Sequence, residues 1–170
     1  MKTPICSFDA KTGILCTKCE TKLKSGHLKQ AEIEAAIRLT RIAERNQDIN
    51  KFTMVGAAEV DSVSVLILRG SDISTLRANP TLMKEVKEEF QRQVWFIEAE
   101  ATDRRFMENL FFPCKVQSIN LIWLPDGSKL TKVVIESRCD SMVPFDLQQI
   151  QKIAQTLRNI ELHIEFEKPK

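Results

Sequence analysis

Three cysteines near the N-terminus have the spacing of a metal-binding knuckle. Cys16 and Cys19 enclose Thr17 and Lys18, and Cys6 lies ten residues before Cys16. Two thiolates at C-x-x-C spacing can chelate one tetrahedral Zn²⁺ while nearby backbone N–H groups soften their charge. The third cysteine makes such a site credible.

The fourth ligand of such a site is not evident from the motif. His27 is the nearest candidate in the sequence, and Asp9 or a distant thiol such as Cys114 is an alternative. The sequence therefore predicts a zinc ion held by four side chains: Cys6, Cys16, Cys19 and His27.

Two other states of these thiols stay open: a disulfide from Cys6 to Cys16 or Cys19, and unpaired thiols. The odd number of cysteines, five, and a reducing compartment argue against a disulfide framework outside a hyperthermophile. We interpret the other two cysteines, Cys114 and Cys139, as small core residues.

Residues for catalysis are scarce. The chain has two histidines, no tyrosine, no glycine-rich phosphate loop and no G-x-S-x-G motif. Chemistry that needs a nucleophile with a base, or a phosphate loop, therefore lacks its residues. His163 alternates with apolar neighbours and is interpreted as a structural side chain. We expect a protein that is not an enzyme.

The composition is that of an ordinary globular protein. The 170 residues are 43% hydrophobic, and 25 Lys and Arg against 23 Asp and Glu leave a net charge of +2. No apolar run approaches the roughly 18 to 20 residues of a membrane helix, and the N-terminus lacks the apolar stretch of a signal peptide. We expect a cytoplasmic protein with no membrane partner, whose affinity for nucleic acid would depend on local clusters of charge.

These residues are carried by an N-terminal extension and two similar halves. Residues 1–27 contain five Lys against one Asp and one Glu, and are interpreted as a basic, weakly structured extension. Hydrophobic periodicity then predicts the order helix, strand, strand, short turn, helix, strand twice. The predicted elements are a helix at 28–46, strands at 52–59 and 62–68, a turn at 72–76, a helix from Pro80 and a strand at 94–97, then a helix at 101–112, strands at 116–124 and 130–136, a helix from Pro144 and a strand at 162–166.

The repeated order indicates an internal duplication. Apolar residues recur three, six and ten positions after both Pro80 and Pro144. We therefore predict an α+β protein with a Cys-rich, zinc-binding extension at 1–27 and two domains at 28–100 and 101–170.

Several stretches resemble archaeal NusA-like proteins, which carry two tandem type II KH domains. They are Thr3-Pro4-Ile5-Cys6, the run from Phe8 to Cys16, Lys18-Cys19, and Ile122-Trp123-Leu124-Pro125-Asp126-Gly127-Ser128. The resemblance implies two α-β-β-α-α-β units, each a three-stranded sheet packed by helices. It also implies RNA as the partner, ribosomal RNA or a nascent transcript, together with ribosomal proteins or RNA polymerase.

The loop that KH domains use to grip RNA is altered in both halves. A Gly-x-x-Gly loop lets backbone N–H groups approach phosphates, whereas the two slots here are Arg77-Ala78-Asn79-Pro80 and Ser141-Met142-Val143-Pro144. We therefore predict binding of structured RNA mainly through basic side chains. The candidate RNA-binding residues are Arg77, Asn79, Lys84, Lys87, Arg104, Arg105, Lys115, Lys129, Lys132 and Arg138.

Two alternatives remain beside this hypothesis. In one, the lost glycines mark a protein–protein adaptor that has lost RNA binding and uses exposed apolar residues: Phe111, Phe112, Trp123, Met142, Val143 and Phe145. In the other, the basic N-terminal segment binds the RNA and the paired KH units are only a scaffold.

Overall fold

A computed structural model of the protein describes residues 1–139 and 146–168. The chain divides into two compact units, Met1–Glu100 and Ala101–Lys170. Each contains helices and one three-stranded sheet, which confirms the α+β class. None of the described helices is both long and apolar enough to cross a membrane.

The first unit contains five α-helices and three strands among its elements. In chain order these are α1 (Ser7–Thr12), α2 (Thr17–Lys24), α3 (Gln30–Arg45), a 3-10 turn (Ile49–Lys51), β1 (Met54–Val60), β2 (Val63–Leu68), α4 (Gly70–Ala78), α5 (Pro80–Phe90) and β3 (Val94–Glu98).

In its described residues the second unit follows the same plan. Its elements are α6 (Asp103–Phe111), β4 (Val116–Trp123), β5 (Lys129–Ile135), α7 (Leu147–Arg158) and β6 (Leu162–Phe166). The predicted bounds agree with these to within a few residues, because strong amphipathic and β-branched patterns mark each element.

The central helix of the first unit is α3, and it carries the apolar stripe that the sequence predicts. Ala35 and Leu39 on this stripe are almost wholly buried. They belong to one hydrophobic core with Leu66 of β2 and Val86 of α5. On the predicted two-sided strand β2, the adjacent residues Val65 and Leu66 are both fully buried.

The N-terminal segment is more ordered than the sequence predicts. Residues 1–27 form α1 and α2, and Ile5, Ala10 and Cys19 are buried in the same core as α3. The backbone of Lys2 also exchanges hydrogen bonds with Phe52 and Met54, at 2.9 Å each, beside the start of β1. The prediction of a weakly structured extension is therefore wrong, because these few apolar residues are buried in the core of the first unit.

The two sheets repeat each other strand by strand. In both, the central strand pairs antiparallel with the first strand and parallel with the last. The first strand has an irregularity at the same point in each sheet, between Met54 and Gly56 in β1 and between Val116 and Ser118 in β4. Leu66 and Val133 consequently occupy equivalent central positions.

The last helices of the two units align differently from the prediction. Asn79 caps α5 by accepting a hydrogen bond from the Leu82 N–H at 3.1 Å, and Asp146 caps α7 by accepting one from the Gln149 N–H at 3.1 Å. Asn79 thus corresponds to Asp146. The predicted match of Pro80 with Pro144 is displaced, and Pro144 lies outside the described residues, as do the other residues of the second loop slot.

A disulfide joins Cys114 to Cys139 in the second unit, with their Cα atoms 6.0 Å apart. Both residues are buried, as predicted for core residues, but they are not unpaired. The spacing of 25 residues carries no signal for this pairing, because the β4–β5 hairpin is what brings its two flanks together.

Candidate metal centre and cationic surface

The candidate metal centre is built from the first turns of two short helices. Cys6 precedes α1 and Asp9 lies in its first turn, while Cys16 precedes α2 and Cys19 lies in its first turn. Both helices therefore present a capping residue and the residue three positions later. Side chains in these positions project together near a helix start.

The loop between the helices returns the chain to this point. Gly13 ends α1 with φ 74°, a left-handed conformation in which a side chain would be strained, and its N–H donates to the Asp9 carbonyl at 2.8 Å. Three residues later the Cys16 N–H donates to Asp9 Oδ2 at 3.0 Å. The Asp9 carboxylate thus fixes the start of α2 against α1.

The resulting cluster has the dimensions of a tetrahedral site. The thiol sulfurs of Cys6, Cys16 and Cys19 and a carboxylate oxygen of Asp9 all lie within 4.8 Å of one another. The Cys6 and Cys16 sulfurs are 3.9 Å apart. Two sulfurs at about 2.3 Å from a tetrahedral zinc ion would be about 3.8 Å apart. These four residues are therefore close enough to hold a metal ion.

One carboxylate oxygen in the cluster has no ordinary hydrogen-bond donor. Asp9 is fully buried, and its Oδ1 accepts no hydrogen bond from an N–H or O–H group of the described residues. A buried anionic oxygen without such a donor is costly unless a cation, a water molecule or the proton of a neighbouring thiol contacts it.

The Asp9 carboxylate and the neighbouring Cys19 thiol strongly shift each other's pKa values. A hydrogen bond from the Cys19 thiol, together with the Cys16 N–H, lowers the pKa of Asp9 to about 2. Conversely, the Asp9 carboxylate and burial raise the pKa of Cys19 to about 12. Without a cation, the buried thiol keeps its proton and serves as a donor to the carboxylate.

The structure corrects the predicted ligand set at one position. His27 is exposed, its Nδ1 lies 2.8 Å from Ser25 Oγ, and it is not part of the cluster. It follows the end of α2, whereas the thiols lie at the start of that helix. Asp9 takes the fourth position, and its signal in the sequence is that Cys6 and Asp9 have the same spacing as Cys16 and Cys19.

The disulfide alternatives for this segment are not formed. Cys6, Cys16 and Cys19 are all free thiols. The 3.9 Å between the Cys6 and Cys16 sulfurs is about twice a disulfide bond length. Cys114, the distant alternative ligand, is used by its bond to Cys139.

Many of the predicted RNA-binding cations contact carboxylates of their own unit. Lys84 pairs with Glu88 at 3.7 Å, and Lys132 pairs with Glu165 at 2.9 Å. Arg104 and Arg105 share Glu108, at 3.3 and 3.4 Å. Exposed pairs of this kind contribute only about 0–1 kcal/mol each, so they do not forbid a phosphate contact, but they dilute the positive potential.

The remaining candidates are spread over several elements. Asn79 caps a helix, and Arg77 is half-buried with its Nε shielded from water. Lys129 places its Nζ 4.4 Å from the Trp123 ring centre. The exposed residues Lys87, Lys115 and Arg138 complete the set, and the last two lie next to the disulfide cysteines.

The N-terminal segment also carries positive charge that is not paired with a described carboxylate. Its only acidic residues are the buried Asp9 and Glu20, and Glu20 pairs with Lys24 at 2.8 Å. Lys11, Lys18 and Lys22 are exposed and form no ion pair with any described carboxylate. Composition showed this excess of lysine, but only the structure shows that its acidic residues are occupied.

Comparison with known proteins adds little to this picture. No protein-family model matches the chain, and no curated protein matches it. Among solved structures, one similar chain is described as "Crystal structure of APE1850". It is 15% identical, with a TM-score of 0.49, and the match covers 76% of this chain and 95% of that one.

Proposed function

We propose that Cys6, Asp9, Cys16 and Cys19 hold a structural zinc ion. The observation that carries this proposal is the buried Asp9 Oδ1, which lacks an N–H or O–H donor and lies among three free thiols. Three thiolates favour zinc over magnesium or calcium, which prefer oxygen ligands. All four positions belong to the protein, so the ion would cross-link α1 and α2 and leave no open position for catalysis.

Native mass spectrometry and elemental analysis of the full chain test this site. We expect one zinc per chain and its loss in Cys19→Ser. The matched control is the Cys114→Ser/Cys139→Ser double variant, which should keep its zinc. A bare chain after purification with zinc supplied, or equal zinc content in Cys19→Ser, would contradict the proposal.

For the whole chain, we propose a cytoplasmic, non-catalytic RNA-binding protein of a ribosome- or transcription-associated complex. The order α3-β1-β2-α4-α5-β3, with its antiparallel and parallel strand pairs, supports a type II KH-like first unit. The second unit has the same strand pairing, and its first strand has a register irregularity at the same point. Both features support a degenerate copy of the KH-like unit. The glycine-free loop at Asn79 disfavours the usual backbone grip on RNA.

The distribution of charge favours the N-terminal segment as the main phosphate-binding surface. Lys11, Lys18 and Lys22 are exposed without described carboxylate partners, whereas several cations of the KH-like units are paired. Free ammonium groups can neutralise phosphates without first breaking an ion pair. This supports the version of the hypothesis in which the KH-like units act mainly as a scaffold.

Salt-titrated RNA binding measures the contribution of these lysines. The slope of log affinity against log salt changes by about 0.7 for each phosphate contact to a single strand. We expect Lys11→Gln/Lys18→Gln/Lys22→Gln to reduce the slope by about 2. The matched control, Lys84→Gln/Arg104→Gln/Lys132→Gln, removes equal charge and should change the slope less.

Two results would overturn this function or its location. RNA affinity that is absent or independent of salt would reject RNA binding. A larger effect of the control substitutions would move the phosphate-binding surface to the KH-like units.

The adaptor function is a second candidate, and the edge strand β4 favours it. Its eight residues carry no charge, and Leu121 and Trp123 are 55% and 63% exposed. Natural sheets usually protect such edges with charges, proline or a covering segment. Under this alternative, Leu121→Lys would abolish capture of a protein partner and leave RNA affinity unchanged.

A further inference from the structure

The N-terminal segment displays two large apolar side chains beside the metal centre. Phe8 is 63% exposed and Ile14 is 69% exposed. Single exposed apolar residues are common on proteins, but these two lie in a segment whose other surface residues are largely lysine, threonine and serine. An exposed aromatic ring among cations is the composition of a surface that stacks nucleic-acid bases.

The exposed residues of this segment lie close in the sequence to the residues of the cysteine and aspartate cluster. Phe8 lies between Cys6 and Asp9, Ile14 lies two residues before Cys16, and Lys18 lies between Cys16 and Cys19. Each is therefore one or two residues from a side chain of the cluster. A ring held by such short connections loses little backbone freedom when it binds.

The adjacent lysines supply the charge that a polyanion needs. Lys11 follows Phe8 by three residues in α1, so the two are neighbours on the helix surface. Lys11 and Lys18 are exposed and unpaired among the described residues, and the nearby Asp9 carboxylate is buried. A phosphate next to a stacked base would meet an ammonium group without a competing exposed carboxylate from Asp9.

We infer that this segment binds single-stranded RNA by stacking an unpaired base on Phe8 while Lys11 and Lys18 contact the flanking phosphates. The inference rests on the proposed RNA-binding function and names its ligand more narrowly. Bases in a duplex are already stacked and paired, so they cannot cover the Phe8 ring without opening. A stacking site without base-edge contacts discriminates little among sequences.

Fluorescence anisotropy with the zinc-loaded full chain tests the inference. The probes are a labelled mixed-sequence 12-nucleotide RNA and the same strand annealed to its complement. Phe8→Ala should weaken single-strand binding by about 5- to 150-fold, the range for one stacked base. Phe8→Trp should preserve the affinity, and Phe8→Leu, which is apolar but has no ring, should weaken it as alanine does.

The controls separate stacking from folding and from general RNA binding. Val55→Ala removes another exposed apolar side chain, on β1, and should bind as the parent does. Zinc content and melting temperature should be equal in Phe8→Ala and the parent, because the ring is mostly exposed. If the parent chain binds neither probe, the proposed function fails. If the parent binds RNA but Phe8→Ala and Phe8→Leu bind single strands as tightly as the parent does, or lose duplex and single-strand affinity alike, the stacking inference alone is overturned.

Discussion

The two units build the same sheet but secure it by different means. In both, a central strand pairs antiparallel with the preceding strand and parallel with the last. The first strand has an irregularity in its pairing register at the same point in each sheet. The first unit adds the Cys6 cluster, whereas the second adds the Cys114–Cys139 disulfide. The repeated feature is therefore the hydrophobic and hydrogen-bonding plan, and the cysteine cluster and the disulfide are separate additions.

The outer strands of the two sheets differ as well. The start of β1 is paired with the backbone of Lys2, and Glu59 on this strand pairs with Arg92. By contrast, no described residue pairs with the outer edge of β4, which is uncharged. The same strand position is protected in one unit and open in the other, so equal topology does not imply equal function.

The largest effect should follow loss of the proposed zinc ion, and it should be confined to the first unit. Cys19→Ser should lower zinc affinity by more than about 100-fold, the upper effect of losing an outer-shell partner, because Cys19 is itself a proposed ligand. Zinc competition titration measures the affinity, and hydrogen exchange resolved by unit measures the protection. Equal loss of protection in β2 and β5 would break the distinction between the units.

Loss of the disulfide should destabilise the second unit and leave the first unit unchanged. The Cys114→Ala/Cys139→Ala variant should lower the free energy of unfolding of the second unit by about 3 kcal/mol, since the bond closes a loop across 25 residues. Urea denaturation followed by hydrogen exchange would show early opening of β4 to β6 with β1 to β3 unchanged. A variant as stable as the parent would mean that the bond does not stabilise this unit.

The equivalent helix caps should contribute smaller and similar amounts. Asn79→Ala and Asp146→Ala each remove one acceptor at the start of a helix and should cost about 1 kcal/mol of unfolding free energy. Asp146 should contribute somewhat more, because its negative charge also interacts with the helix dipole. Asn79→Asp and Asp146→Asn, which keep the acceptor, serve as controls. A cost in only one unit would contradict the equivalence of the two positions.

The smallest effect should come from the exposed pair at Glu165. Hydrogen bonds from Lys132 and His163 lower the pKa of Glu165, so its ionised form is favoured in the folded chain. This contribution is present at neutral pH and disappears as the pH falls below the ordinary pKa of the carboxyl group and through its lowered value. Glu165→Gln should therefore lower the melting temperature slightly at pH 7 and leave it unchanged near pH 3. A difference that grows toward acid would have the wrong sign.

Local patterns were sufficient to predict most elements. The apolar period of α3, the β-branched run of β2 and the alternation in β6 predicted their types and approximate bounds, because each pattern reports its own periodicity. The predicted alignment of Pro80 with Pro144 was wrong because it, too, depended on a purely local signal. A proline favours a helix start but does not specify which residue caps it, and the cap at Asp146 lies two residues after Pro144.

The candidate metal site was also predictable from the sequence only in part. C-x-x-C spacing brings Cys16 and Cys19 together whatever the rest of the chain does, so the knuckle was predictable. The choice of Asp9 over His27 depended on how α1 returns to the start of α2, which the spacing of single residues does not record. The exposure of Phe8 likewise depends on what the packed core leaves uncovered.

The amino-acid sequence alone determined the repeated helix and strand pattern, the near pair of thiols and the absence of glycine from the first loop slot. These are properties of short stretches, in which residue type acts directly on local conformation. Tertiary structure decided the partner of Cys114, the burial of Asp9 and the packing of α1 and α2 into the core that contains α3. Each of these joins residues that meet only after the chain has packed, because contacts between distant segments depend on the combined shape of all the elements.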